Sequence, residues 1–318
     1  MSNNILEVHD FHVSVTKDKK QLELVRGVSF DIPEGSFFSL VGESGCGKSV
    51  TSMSLTRLPP FDQAKLSGEV SFAGKSIISL KPDELRALRG EGGIAYIFQD
   101  PISALNPVLK VKTQLLEVYR GSRANREKEL AQLLQSVGLE ERVLNAYPCE
   151  LSGGMAQRVC IAMAMLSKPR LLIADEPTTA LDVIMQQKLL ELLSELRAKL
   201  GLSILFITHN LGLVARYSEY AAVMYGGRVV ELAPVQELLS NSLHPYTQGL
   251  LKAVPSIEGT TVDELHTIPG RVPPPAEWKG CAFFERCPHS ATCDCKEQLP
   301  KPQITPHYVE CKRMNNEE

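Results

Sequence analysis

The sequence predicts an α/β fold in which helices connect the strands of a parallel sheet. One observation is the apolar run at residues 37–41, which is typical of a buried strand and leads directly into a glycine-rich loop. A second is the strand, helix and strand pattern over residues 171–208, because such alternation with long helices is typical of parallel sheets. A third is that 43% of the 318 residues are apolar, enough for the core of one large or two modest domains.

The glycine-rich loop fits the phosphate-binding pattern Gly, four residues, Gly-Lys-Ser/Thr. It consists of Gly42, Glu43, Ser44, Gly45, Cys46, Gly47, Lys48 and Ser49. Glycines in such a loop let successive backbone N–H groups turn toward a polyphosphate, whose charge the N-terminus of the next helix also favours. We expect Lys48 to reach the β- and γ-phosphates and the Ser49 hydroxyl to bind Mg²⁺. The alternative is a glycine-rich turn without a ligand, which the full pattern disfavours.

The charge balance gives no broad electrostatic surface for nucleic acid or anionic lipid. The chain carries 34 basic and 37 acidic residues, for a net charge of −3. Its longest uncharged apolar run in a helical context, residues 159–166, is far shorter than the roughly 18 residues of a membrane span. Polar residues from Asn3 to Asp10 interrupt any signal-peptide pattern. We therefore expect a cytosolic protein, or one that partners hold at a membrane.

The elements before and after the loop follow in order along the chain. Residues 5–40 predict an antiparallel β lobe with strands at 5–8, 11–15 and 28–32 and turns at 17–20 and 33–35. A hairpin-like stretch follows at residues 68–80, and a strand at 94–98 ends at Gln99. Helical spacing then predicts an inserted helical subdomain at about residues 107–160.

The strand and helix alternation returns after this subdomain. It predicts a strand at residues 171–174, a helix at 184–200 and a strand at 203–208. Four prolines between residues 269 and 275 mark a linker into a cysteine-rich tail. We therefore predict a nucleotide-binding domain over residues 1–255 and a C-terminal extension over residues 256–318.

Two carboxylates end the predicted strand at residues 171–174. Asp175 and Glu176 would lie at the carboxyl edge of a parallel sheet, beside the phosphate-binding loop. There Asp175 would hold Mg²⁺, directly or through water, and Glu176 would polarise the water that attacks the γ-phosphate. Taken alone, an Asp-Glu pair after a strand is as consistent with a helix N-cap. The phosphate-binding loop favours the catalytic interpretation.

A second anion-binding helix end is predicted at Ser152-Gly153-Gly154, where glycines leave backbone donors accessible. The alternative makes Ser152 a helix N-cap, followed by an apolar core stripe. The stripe consists of Met155, Val159, Ala162, Met163 and Leu166. The two interpretations are compatible.

Residues 151–158, 171–176 and Ala180-Leu181-Asp182 together resemble an ATP-binding cassette (ABC) ATPase. Gln99 matches the Q-loop of that family, and His209 matches its switch histidine. The resemblance implies a P-loop NTPase fold and a head-to-tail dimer, in which Ser152-Gly153-Gly154 of one chain faces the P-loop of another across ATP.

The resemblance also implies individual roles. ATP would be bound by residues 42–50, ending at Val50, and Mg²⁺ by Ser49, Asp175 and Gln99. Hydrolysis would involve Glu176, His209 and Gln99. Asp182 would lie at the dimer interface. Gln99 would also link to a membrane subunit. The family places an adenine-stacking aromatic residue near Val15, where this chain offers only Phe11, and Asn210 replaces the more usual Asp after the histidine.

The chain is also similar to ATPase subunits of oligopeptide- and dipeptide-type ABC importers. This similarity lies in residues 97–107, residues 244–248 and the tail. That resemblance implies a peripheral location on the cytoplasmic face of the cell (inner) membrane. The implied partners are a second, related ATPase subunit, two integral-membrane permeases and a solute-binding protein, without nucleic acid. Relatives of this group also import nickel or oligosaccharides. A further alternative is a soluble ABC ATPase that works on DNA or ribosomes.

Five of the eight cysteines lie in the last 38 residues: Cys281, Cys287, Cys293, Cys295 and Cys311. Without a secretory signal, such a cluster favours a metal or iron–sulfur site over disulfides. Residues 280–288 and 307–311 resemble the extension that holds a [4Fe–4S] cluster in these importers, with Cys281, Cys287, Cys295 and Cys311 as ligands and Cys293 as the alternative to Cys295. Zinc is the alternative metal. The cluster would act either as a redox sensor that controls the ATPase or as a structural clip that folds the tail.

Overall fold

The computed structural model describes residues 3–17, 19–58, 63–179, 181–254, 267–293, 295–296 and 307–312. The chain separates into two compact units, Met1–Ser79 with Ile207–Glu318 and residues 80–206. The predicted domain boundary at residue 255 lies outside the described residues and stays a prediction.

The secondary structure contains both the strands and the helices that an α/β fold requires. In chain order the strands are β1 (Asn4–Lys17), β2 (Lys20–Pro33), β3 (Phe37–Val41), β4 (Lys65–Phe72), β5 (Lys75–Ser76), β6 (Ile94–Ile97), β7 (Leu171–Asp175), β8 (Ser203–Thr208), β9 (Tyr220–Tyr225), β10 (Arg228–Pro234) and β11 (Tyr308–Val309). The helices are α1 (Lys48–Leu55), α2 (Pro82–Leu88), α3 (Val111–Val118), α4 (Arg126–Ser136), α5 (Gly153–Leu166), α6 (Val183–Leu200), α7 (Leu211–Tyr217), α8 (Val235–Ser240) and α9 (Pro245–Lys252). Across the described ranges, no helix is both long and apolar enough to cross a membrane.

The first unit contains the predicted antiparallel β lobe, with strand order β2-β1-β4-β5. The expected strands at residues 5–8 and 11–15 form one continuous strand, β1, so the predicted break between them is wrong. Asp10 has a φ of 47°, and the register with β2 shifts between Val8 and Phe11. This bulge accommodates His9 and Asp10 within the strand.

The phosphate-binding loop follows β3, which pairs in parallel with β9. Strand β9 then pairs antiparallel with β10, and β10 pairs antiparallel with β11 from the tail. Tyr225 of β9 contacts Tyr246 of α9 and Phe283 of the tail, with ring centroids 4.6 and 5.2 Å apart. Phe283 is only 2% exposed. The tail therefore shares the core of the first unit.

In the second unit, β6 pairs in parallel with β7, as the alternation of strands and helices predicts. Helices α3, α4 and α5 follow β6 and confirm a mostly helical segment. On α5 the buried face differs from the predicted stripe: Met155, Met163 and Leu166 are only partly buried, and Ala156, Ile161 and Met165 are buried instead. Because this helix has apolar residues on every side, its sequence pattern does not identify the face that packs inward.

Leu134 gives a direct test of the helical core. Its side chain is fully buried on α4, so Leu134→Ala should lower the free energy of unfolding by about 2 to 5 kcal/mol. The neighbouring exposed residue provides a matched control, because Gln135→Ala should change that free energy by less than about 0.5 kcal/mol. Urea unfolding followed by circular dichroism measures both variants, and equal effects would contradict the packing of α4.

Candidate nucleotide-binding site

The phosphate-binding loop joins β3 to α1, which begins at Lys48. All five residues of β3 are buried, so the loop leaves the sheet from a fixed position. Gly45 and Gly47 have φ values of 83° and 106°. Backbone of this left-handed kind is readily adopted only by glycine, and it lets consecutive N–H groups turn toward one point. The local geometry is suited to an anion such as a polyphosphate.

Gly42 allows the loop to approach β9 closely. A Cβ atom at this position would lie 2.3 Å from the Met224 carbonyl oxygen and 2.9 Å from the Cys46 sulfur. Gly42 is therefore required by packing, in addition to the pattern that identified it.

Lys48 is buried, with 4% of its surface exposed. Its ammonium group donates to the Gly42 and Glu43 carbonyl oxygens, at 2.7 and 3.0 Å. These bonds hold the positive charge against the loop, where it can meet a phosphate. Ser49 follows Lys48 in the first turn of α1.

Three predicted residues come together at the carboxyl ends of β6 and β7. The Tyr96 hydroxyl donates to Asp175 Oδ2 at 2.8 Å. The Thr179 hydroxyl donates to Glu176 Oε2 at 2.9 Å, and Gln99 Nε2 lies 3.5 Å from the same oxygen. These contacts place Gln99, Asp175 and Glu176 in one polar group.

The alternative assignment of Asp175 and Glu176 as a helix N-cap is wrong. Helix α6 begins only at Val183, and its N-cap is Asp182, whose carboxylate accepts from the Met185 N–H at 2.9 Å. Glu176 instead has a φ of 44°, an uncommon conformation for a side chain that is not glycine. Strained backbone of this kind is often found at functional sites.

Ser152 acts as a helix N-cap, as one of the two compatible interpretations predicts. Its hydroxyl accepts from the Met155 N–H at 3.3 Å, and Gly153 begins α5. A Cβ atom on Gly154 would lie 2.9 Å from Met185 Cε on α6. The Ser152-Gly153-Gly154 segment and the start of α6 are thus close neighbours within the second unit.

His209 is exposed after β8 in the first unit. The next residue, Asn210, caps α7 by accepting from the Gly212 and Leu213 N–H groups at 2.9 and 3.3 Å. An aspartate could make the same cap, so this substitution preserves the local structure. Phe11 is fully buried and does not present its ring to a base. The one aromatic candidate for adenine stacking near Val15 is therefore excluded.

The sequence interpretation missed the residues that orient the functional acids. Thr179 follows Glu176 by three positions, a local spacing that could have suggested the bond. Tyr96 binds Asp175 across two strands, and Arg286 binds Glu43 from the tail. Hydrogen bonds to Glu43 raise the pKa of the Arg286 guanidinium, which stays charged. Neither long-range pair has a signal in the sequence.

Three tail cysteines lie close together in the structure. The sulfur atoms of Cys293 and Cys295 are 2.7 Å apart, and the Cys281 N–H donates to the Cys295 carbonyl oxygen at 3.0 Å. A hydrogen bond with Cys281 raises the pKa of the Cys295 thiol. Within the described part of the chain, however, no group of three or more His, Cys, Asp or Glu is arranged to hold a metal ion. The predicted [4Fe–4S] ligand set therefore gains no support from this geometry.

The strand, glycine-rich loop and helix around Lys48 define a P-loop nucleotide-binding protein. The family described as "ABC transporter" matches residues 25–179, and that described as "Oligopeptide/dipeptide transporter, C-terminal region" matches residues 230–295. The chain belongs to the ABC transporter ATP-binding family, in its oligopeptide and dipeptide group. It is accordingly an ATPase.

Curated relatives match nearly the whole chain. The oligopeptide transport ATP-binding protein OppD of Bacillus subtilis (strain 168) is 42% identical over 317 residues, covering 96% of this chain and 87% of its own length. The dipeptide transport ATP-binding protein DppD of the same organism is 42% identical over 302 residues, covering 91% of this chain and 89% of its own. A dipeptide transport ATP-binding protein DppD of Lactococcus lactis is 40% identical, with coverage of 96% and 89%.

Solved structures share the fold. A dimeric post-hydrolysis state of the ATP-binding cassette MJ0796, bound to ADP and Pi, matches with a TM-score of 0.65 and 30% identity. The match covers 72% of this chain and 98% of that one. The structure of cbiO1 from Clostridium perfringens, part of the ABC transporter complex cbiONQ, matches with a TM-score of 0.64 and 25% identity, covering 75% and 92%. These matches confirm the predicted ABC ATPase fold.

Gly42→Ala should weaken MgATP binding at least tenfold, because the added methyl group would collide with the Met224 carbonyl and push the loop from β9. Gly45→Ala is the matched comparison. Its added methyl group meets no described atom within 4 Å, so it costs only left-handed strain of about 1 to 2 kcal/mol. Titration with a fluorescent ATP analogue measures both affinities. Equal affinity in the two variants would contradict the close approach as the cause.

Proposed function

We propose that this chain is the ATP-hydrolysing subunit of an ABC importer that takes up oligopeptides or dipeptides across the cell membrane. The observation that carries this proposal is the similarity of residues 230–295 to the C-terminal region of oligopeptide and dipeptide transporters. That match lies beyond residues 25–179, which match the ABC transporter family, so it points to the transporter group and not to ATP binding alone. Nickel and oligosaccharides are the alternative solutes.

The chemistry divides among the residues described above. In the proposed mechanism Lys48 and the loop N–H groups bind the phosphates of ATP. Ser49, Asp175 and Gln99 would bind Mg²⁺, directly or through water. Glu176 accepts a proton from the attacking water, a role worth about 10² to 10⁴ in rate. The Thr179 hydroxyl holds that carboxylate without neutralising it. His209 binds the γ-phosphate.

The proposed partner across the nucleotide is a second ATPase subunit, of this or a related chain. Ser152 and Asp182 are both exposed, and the first residues of α6, Val183 and Ile184, are 79% and 67% exposed. Large apolar side chains at such exposure favour burial against another protein. A partner's P-loop would then place its ATP against Ser152-Gly153-Gly154, as the resemblance to ABC ATPases implies. The similar MJ0796 cassette is dimeric.

The second unit also exposes apolar side chains after Gln99, which supports docking of a membrane subunit. Ile102 is 50% and Val108 75% exposed. Tyr147 is 39% exposed, and its ring lies 5.7 Å from the ammonium of Lys110. We propose that this surface contacts one of two permeases, which hold the ATPase at the cytoplasmic face of the membrane. A separate solute-binding protein would deliver the peptide.

We also propose that the tail cysteines bind a [4Fe–4S] cluster. What supports the proposal is the resemblance of residues 280–288 and 307–311 to the extension that holds such a cluster, in which Cys281 would be one ligand. Thiolates are the ligands that iron–sulfur clusters take. Cys287 and Cys311 would complete the set, with Cys293 or Cys295 as the third ligand. When bound, the cluster would either hold the tail in its folded form or act as a redox sensor.

Glu176→Gln tests the proposed function. The variant should keep MgATP affinity and lose at least about a hundredfold in ATP turnover, because the amide cannot accept the proton of the attacking water. Glu195→Gln, an exposed acid paired with Lys199 on α6, should hydrolyse ATP at the parental rate. Parental turnover in Glu176→Gln would exclude this residue as the base.

The same variants belong in proteoliposomes that contain the co-purified permeases, with solute-binding protein added. Uptake of labelled di- and oligopeptides should require ATP and disappear with Glu176→Gln. Uptake of nickel or oligosaccharide without uptake of peptide would contradict the proposed peptide substrate. Co-purification with nucleic acid or ribosomes would contradict a role in transport.

Chain isolated without oxygen should contain iron and acid-labile sulfide, and Cys281→Ser should lose both. Cys149→Ser, an exposed cysteine outside the tail, should keep them. Comparison of Cys293→Ser with Cys295→Ser identifies the third ligand, because only the true ligand is needed for full iron content. If the isolated chain contains zinc in place of iron, or no metal, the proposed iron–sulfur cluster is wrong.

A further inference from the structure

Arg286, a residue of the tail, forms an ion pair with the phosphate-binding loop. Its guanidinium makes a two-pronged ion pair with the Glu43 carboxylate, with Nη1 2.5 Å from Oε2 and Nη2 3.1 Å from Oε1. The Arg286 side chain is 6% exposed and that of Glu43 30%. A two-pronged pair between a guanidinium and a carboxylate fixes the geometry of both groups, which isolated surface ion pairs do not. The contact joins residues 243 positions apart.

Every N–H donor of the Arg286 guanidinium is used. Besides Glu43, it donates to the Pro269 and Ile268 carbonyl oxygens at 2.8 and 3.2 Å and to the Tyr225 hydroxyl at 3.2 Å. A guanidinium has five such donors in a rigid plane, so these five bonds fix its orientation. The group is therefore built to hold Glu43 in one place.

Glu43 is held through both its side chain and its backbone. Its N–H donates to the Tyr246 hydroxyl at 2.8 Å, and its carbonyl oxygen accepts from Lys48 Nζ at 3.0 Å. A shift of Glu43 would therefore move the carbonyl that holds the Lys48 ammonium. Arg286 is thus connected to the phosphate-binding lysine through a single residue.

Glu43 also presents an electrostatic problem, because its negative charge lies on the loop that binds a polyanion. Like charges at close range repel, and the repulsion grows as water is excluded. The Arg286 charge cancels that of Glu43 at contact distance. In contrast, the hydroxyl groups of Tyr96 and Thr179 leave the charges of Asp175 and Glu176 intact.

We propose that Arg286 is a positioning residue for ATP binding: it fixes Glu43 and neutralises its charge, so that the C-terminal extension sets the affinity of the phosphate-binding loop. The inference rests on the proposed binding of ATP at Lys48 and adds a requirement for the tail.

Anchoring the tail is the competing role of the ion pair, but the tail has other anchors. Phe283 is buried in the aromatic core with Tyr225. Strand β11 pairs with β10, and Glu310 forms a further ion pair with Arg228, with atoms 2.6 Å apart. The tail can therefore remain packed without Arg286, which makes the two roles separable by experiment.

The test measures MgATP affinity, ATP turnover and thermal unfolding of the nucleotide-free full chain in charge variants. Arg286→Gln should weaken MgATP binding about tenfold, because it leaves the Glu43 charge unpaired beside the phosphates. Turnover at saturating MgATP should change less than twofold. The double variant Glu43→Gln with Arg286→Gln should recover most of the lost affinity, since it removes the repulsive charge.

Two controls fix the interpretation. Glu285→Gln removes the neighbouring acid, whose ion pair with Lys296 is exposed, and should leave MgATP affinity unchanged. Lys48→Ala should abolish binding. If the parental chain itself fails to bind MgATP, the proposed function fails; if it binds and Arg286→Gln binds equally well, only the positioning role fails.

Recovery in the double variant separates positioning from anchoring. A lower unfolding temperature for Arg286→Gln with unchanged MgATP affinity, or a double variant that binds no better than the single one, would overturn the proposal. Should Arg286→Gln fail to fold, Arg286→Lys replaces it. That variant keeps the charge and loses the two-pronged geometry, so we expect a rise of about threefold in the dissociation constant, and no rise would overturn the proposal.

Discussion

The structure depends on the close approach of the phosphate-binding loop to β9. Gly42 permits this approach, since even one extra carbon would lie 2.3 Å from the Met224 carbonyl oxygen. Once the loop is seated there, Glu43 meets Tyr246, and Lys48 meets the carbonyl groups of the loop itself. The parallel pairing of β3 with β9 is what brings Met224 to this position. Tertiary structure therefore supplies the shape that a short glycine-rich sequence cannot maintain alone.

The acids of the two units have hydrogen-bond partners of different kinds. Asp175 and Glu176 receive hydrogen bonds from neutral hydroxyl groups, which orient a carboxylate and preserve its charge for a cation or a water proton. Glu43 receives a guanidinium, which removes its net charge where a polyanion must bind.

Local patterns predicted the parts of the fold and site that neighbouring residues determine. The bounds of β3 and the acidic end of β7 follow from apolar runs and their flanking residues. Strand β7 ends at Asp175, one residue later than predicted, and Glu176 follows it. Two local predictions were wrong: the bulge at Asp10 keeps β1 continuous, and α5 leaves Met155, Met163 and Leu166 of its predicted stripe only partly buried. The contact of Tyr96 with Asp175 spans 79 positions and that of Arg286 with Glu43 spans 243, so only the tertiary fold could reveal them.

The first unit is discontinuous in the chain, which affects how it can form during synthesis. Phe38 of β3 pairs with Tyr220 of β9, so the sheet around the nucleotide loop cannot close until the ribosome has made everything between them. At roughly 5 to 20 residues per second, that interval is about 10 to 40 seconds. Throughout it, the nascent β3, four of whose five residues are apolar, is exposed without its native neighbour β9. Chaperones that bind extended apolar segments therefore have a long opportunity to act on this part of the newborn polypeptide.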